Sequence, residues 1–131
     1  MFKIKNNYLV EINIPNNATG TRVYFPDIPK LRDKFIVGAD AVNSSILSIS
    51  PNGNTIIANS RALLVTLVTV DGGNQEAVFQ MPYYDLVASL NGGIVKQFNR
   101  LKVNMQKSYL FIADGSLITA GHSAAIVFYY E

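Results

Sequence analysis

The chain has 131 residues, a formal net charge of +2, 15% charged residues and no cysteine or tryptophan. That length forms one domain with a real core, and the absence of cysteine excludes disulfides, thiolate catalysis and cysteine-ligated zinc. So small a charge gives no support to a dedicated nucleic-acid or anionic-membrane binder, while a charge content well below the roughly 25% of an average soluble domain suits a surface partly covered by other protein.

Along the chain, period-two patterns and β-branched residues dominate, which predicts strands. The basic start, MFKIKNNYLV, lacks a following apolar run, so no secretory signal is expected. In YLVEINI (8–14), Tyr8, Val10, Ile12 and Ile14 share one face and Glu11 and Asn13 the other. The turn cluster PNNATG (15–20) leads to a second strand, TRVYF (21–25). KFIVGADAV (34–42) and SILSIS (45–50) read as extended, and PNGN (51–54) carries the Asn-Gly signal of a tight hairpin before TIIA (55–58). RALLVTLVTV (61–70) is apolar on both faces, as a central strand should be, and QEAVFQM (75–81) pairs back through the turn at 71–74. In PYYDLVASLNGG (82–93) the period changes: Tyr83, Leu86, Val87 and Leu90 take helical spacing, with Pro82 at the start and Asn91-Gly92 at the end, which predicts one short helix near 82–90. QFNRLKVNM (97–105), SYLFIA (108–113), the turn 114–116 and HSAAIVFYY (122–130) complete the strands. About eight to ten short strands with turns every eight to twelve residues fit an all-β, antiparallel β-sandwich or jelly roll spanning residues 1–131. No stretch reaches the roughly 18 uninterrupted apolar residues of a membrane-spanning helix, so none is expected.

Candidate chemistry is thin. GHSAA (121–125) departs from the Gly-x-Ser-x-Gly nucleophile elbow at Ala125, and a strand rather than a helix follows it. His122 is the one histidine and adjoins Ser123 in sequence, so neither a hydrolase triad nor a zinc site is expected, and no cofactor. Asp71, Asn74 and Glu76 read first as the flanks of a hairpin turn, without the ligand ladder of a calcium loop. Arg100, Lys102 and Lys107 near Phe98 and Tyr109 read as a solvated strand face before a nucleic-acid surface. Tyr83 and Tyr84 are the candidate glycan contacts of a lectin-like or receptor-binding alternative, with one of the two expected in the core.

One segment stands out. Asp27, Lys30, Arg32, Asp33 and Lys34 crowd FPDIPKLRDKFIVG (25–38), and Pro26 and Pro29 stiffen it. Mixed signs fit a salt-bridging loop that grips a neighbouring subunit better than a catalytic cluster. From Phe35 to Val70, by contrast, only Asp40 and Arg61 are charged, which predicts strands covered by neighbouring copies.

In size, absence of cysteine, asparagine-rich strands and order of elements, the chain resembles the small single-jelly-roll vertex (penton) proteins of tailless icosahedral, membrane-containing phages. The resemblance runs through RALLVTLVTVDGGNQEAVFQM, the PYYDL segment, FNRLKVNMQKSYLFIAD and the aromatic end AAIVFYYE. It implies a non-enzymatic capsid subunit, made in a host cytoplasm and residing in the virion. Five copies would close a ring at a vertex, or three would form a spike, against other capsid proteins. The C-terminal strand and the uncharged middle would lie at the contacts.

Overall fold

A computed structural model of the chain describes residues 6–14, 19–44, 47–58, 61–70, 75–114 and 122–131. The strands are β1 (Asn6–Ile14), β2 (Arg22–Tyr24), β3 (Ile36–Val42), β4 (Thr55–Ile56), β5 (Leu63–Val68), β6 (Glu76–Pro82), β7 (Lys96–Leu101), β8 (Tyr109–Ile112) and β9 (His122–Tyr130). They form two sheets of order β1-β9-β3-β7 and β2-β8-β5-β6, with β4 adding a short parallel pairing to β9. The expected all-β sandwich is therefore the fold. The pairing is nested: β1 pairs with β9, β2 with β8, β3 with β7 and β5 with β6, each antiparallel.

Alternation places the core. On β1, Val10, Ile12 and Ile14 are buried while Asn13 is exposed and Glu11 half-buried, as the period-two pattern predicts. On β5, Leu63, Val65 and Leu67 enter the core, and Thr66 and Val68 on the opposite face are buried as well. Facing residues alternate in size: Ala39 lies across from Phe128, Ala41 from Ile126, and Ile12 from Ala124. Each fully buried Ile, Leu or Phe contributes about 1.5–3 kcal/mol through removal from water. Gly38 sits at the bulge of β3, where a Cβ would lie 3.0 Å from the Lys96 carbonyl oxygen, so β7 is seated on a missing side chain.

Three expected elements differ: of the strand expected over 45–50, the described part makes only an isolated bridge from Ile49 to Thr55. The helix over 82–90 is a single turn, α1 (Tyr83–Leu86), followed by an extended Val87 and a 3-10 turn at Ala88–Leu90. Competing bonds break it: the Ala88 N–H goes to the Asp40 carboxylate at 3.1 Å, and the Asn91 side chain donates to the carbonyls of Tyr84 and Val87. The strand over 97–105 ends at Leu101, because Lys102 to Asn104 cross to the other sheet and bond Val70 and Val68. The turn expected at 71–74, residues 115–116 of the turn at 114–116, residues 15–18 of the turn cluster at 15–20 and residues 45–46 of the strand expected at 45–50 lie outside the described residues. No helix of the described residues is long and apolar enough to cross a membrane.

Tyr83 fastens the crossing segment to the sandwich. Its ring is fully buried, and its hydroxyl lies 2.5 Å from the Val42 carbonyl and 2.7 Å from the Ala125 carbonyl while accepting the Ala125 N–H at 3.1 Å. Burial, which disfavours the phenolate, pushes its pKa well above the ordinary tyrosine value. Tyr83→Phe strands these backbone groups where the β3–β9 ladder ends. Urea unfolding should show a loss of about 1–3 kcal/mol.

Candidate functional site

The charged segment 27–34 is built as a ridge on apolar footings. Phe25 is buried, its N–H bonds the Ser108 carbonyl at 3.0 Å, and its ring meets Phe128 edge-on at 5.9 Å. Ile28 and Leu31 are buried, and the 3-10 turn Pro29–Leu31 begins at a proline whose fixed φ suits it. Successive i-to-i+3 bonds from Leu31, Arg32 and Lys34 close the turn, and Asp33 takes a left-handed conformation with φ of 62°. Asp27, Lys30, Arg32, Asp33 and Lys34 all project outward from this frame. Arg32 ion-pairs with Asp27, and the Lys30 ammonium lies 6.0 Å from the centre of the Tyr8 ring. An exposed pair of this kind adds about 0.2–1 kcal/mol, so its main effect is to fix the ridge's shape.

Two grooves flank the ridge and share Asp27 and Ile28. One, of about 220 Å³, is bounded by Leu31, Arg32, Val103 and Met105. The other, of about 300 Å³, runs along Tyr8–Glu11 between Pro26–Pro29 and Pro51–Asn52. Glu11 anchors the far wall of this second groove. Its carboxylate accepts bonds from Ser50 Oγ at 2.8 Å, Asn52 Nδ2 at 3.1 Å and Asn54 Nδ2 at 3.2 Å. Ser123 Oγ lies 3.1 Å from the same carboxylate and 3.0 Å from Asn13 Oδ1. Burial raises the Glu11 pKa, but the bonds from Ser50, Asn54, Ser123 and Asn52 outweigh it and hold the carboxyl below its ordinary value. The arrangement offers a groove of mixed apolar and polar lining beside a ridge of exposed charges.

Other expected residues fall elsewhere. Tyr83 is corrected as a glycan contact: it is a buried structural residue, which no ligand at the surface reaches. Tyr84 is half-buried, and the Arg61 guanidinium covers its ring face at 4.0 Å, the face a sugar would stack on. Ser123 lies fully buried inside β9 beside Glu11, and His122 is its neighbour along the same strand. The basic-aromatic group divides: Arg100 is on β7, stacked on Phe35 and paired with Glu131, while Tyr109 is buried on β8 in the opposite sheet. Asp71 and Asn74 lie outside the described residues, and Glu76 is exposed on β6.

The uncharged middle divides: β3 and β5 are interior strands that the fold itself largely buries, while Leu47, Ile49 and Val70 of the same neutral run are exposed. The sequence reading missed the Glu11 network. Its signals were present: one carboxylate in a neutral strand, and the amide-rich PNGN turn.

Glu11→Gln tests the network. Because the folded-state pKa is depressed, the carboxylate's contribution is present above its unfolded value near 4.5 and is lost as pH falls through the lower folded value. At neutral pH the variant should be about 1 kcal/mol less stable, a figure reduced for partial exposure, and the gap should close on acidification in pH-resolved denaturant melts. No protein-family model, curated protein or solved structure matches this chain.

Proposed function

We propose that the protein is a non-enzymatic structural subunit of an icosahedral capsid, folded as a single jelly roll and seated at a vertex as a penton or minor capsid subunit. The nested pairing carries this reading. With the two-residue β4 set aside, eight strands pair first with last and so inward into two four-stranded sheets. That is how a jelly roll wraps one antiparallel strip into a sandwich, a design frequent in capsid shells. Lectins share it, but the tyrosines that favoured glycan binding are buried or covered.

The mechanism is shape. A sandwich with interior strands buried on both faces is a rigid block, and the 27–34 ridge offers fixed charges of both signs to a neighbour. Such charges add specificity more than affinity. Ring closure by five copies, or a spike of three, uses heterologous contacts, so each subunit brings two different patches; the ridge and its grooves supply one of them.

Native mass spectrometry and particle reconstitution test the reading. A ring or spike that enters shells is expected; a stable monomer that never joins a particle overturns it. The double variant Arg32→Ala, Lys34→Ala should lower incorporation several-fold, while denaturant melts shift by no more than about 1 kcal/mol.

A further inference from the structure

A sheet edge presents unpaired N–H and C=O groups, and proteins usually blunt it with shortness, bulges or charge. Three of the four sheet edges among the described residues are blunted in these ways. Strand β2 has only three residues. Strand β6 meets β5 through two register shifts and carries Gln80 at φ of 49°. Strand β7 pairs across a bulge, with Arg100 at φ of 38° and Lys96 exposed.

Strand β1 has none of these devices. It is nine residues long, contains no proline or lysine, and runs against β9 in an unbroken register from Asn6↔Tyr130 to Ile14↔His122. Among the described residues it pairs with no strand but β9, and no other backbone bond reaches its far side. The 300 Å³ groove runs along this edge at Tyr8–Glu11, and Tyr8 and Leu9 are 38% and 37% exposed. Its single charge, Glu11, is held by hydrogen bonds from its own chain.

We propose that β1 is a homotypic docking strand: two copies pair their β1 edges antiparallel about a two-fold axis at Leu9, joining two β1-β9-β3-β7 sheets into one. The occupant is a second copy because the strand is self-complementary: turned about Leu9, its own sequence sets the apolar residues at its centre against apolar ones and its one carboxylate against an amide, and β1 is the one long, unblunted edge among the described residues. Charge fixes the register. An axis at Glu11 would oppose two carboxylates, whereas an axis at Leu9 sets Glu11 across from Asn7, Leu9 across from Leu9, and Tyr8 across from Val10. The last is a favourable aromatic–β-branched pair. This isologous contact is separate from the heterologous contacts of a closed ring, and so goes beyond the functional reading above.

The chain's lack of cysteine makes the test clean. Under mild oxidation Leu9→Cys should form a disulfide-linked dimer at least about tenfold faster than Phe79→Cys, an exposed site on the blunted β6 edge, because directly opposed cross-strand positions meet disulfide geometry. In the unsubstituted protein, amide exchange at alternate residues of β1 should slow as concentration rises. Equal cross-linking rates, or β1 amides whose exchange ignores concentration, overturn the proposal, the second readout standing if the cysteine variant fails to fold. Dimers that never enter particles would sustain the pairing and sink the capsid reading; particles built from subunits whose β1 stays unprotected would do the reverse.

Discussion

Strand β9 is the constraint on which the sandwich depends. It pairs with β1 along its whole length, with β3 on its other side, and with β4 near its start. Ala124, Ala125, Ile126 and Phe128 are fully buried within it. The first strand therefore has no partner until the last one arrives, and its contacts span almost the entire chain. Closing so long a loop costs entropy before any contact offsets it, so the topology implies slow, late completion of this sheet. Size complementarity makes the completed state specific. Alanines on β3 and β9 stand opposite Phe128 and Ile12, which leaves room for the large side chains without strain.

Polar groups then secure what packing alone would leave loose. Tyr83 joins the crossing segment to the end of the β3–β9 ladder through a buried hydroxyl satisfied by backbone groups. Glu11 does the same on the opposite side of β9, tying the 50–54 turn to β1 and, through Ser123, to β9. Both arrangements satisfy groups that would be costly if stranded, so each specifies one register of the loop it holds.

The strands were legible because alternation is a local property. The faces of β1, the two-sided burial of β5 and the extent of β9 all follow from period-two spacing and β-branched content. The stiff, mixed-charge loop was legible too, since Pro26 and Pro29 act on their own backbone. What failed depended on distant partners. Helical spacing over 82–90 gave no sign that Asp40, 48 residues earlier, takes the Ala88 N–H. Nor did the neutral run after Phe35 reveal that β3 would be an interior strand, which is a fact of topology. Tyr83 and Tyr84 are adjacent and chemically identical, yet the fold buries one and leaves the other beneath an arginine.

The low charge content then has an internal explanation in part, and an external one only where the fold leaves apolar surface open. Interior strands β3 and β5 are largely buried and carry one charge between them, the half-buried Asp40, so part of the missing charge follows from two sheets with buried centres. Edges are different, because there the chain is free to place lysine, proline or a bulge. Strands β6 and β7 use that freedom and β1 does not, although Tyr8 and Leu9 are exposed on it. A neutral interior strand needs no partner. On the regular edge of β1 the single charge, Glu11, is already held by hydrogen bonds from its own chain, so it does not serve as an edge guard.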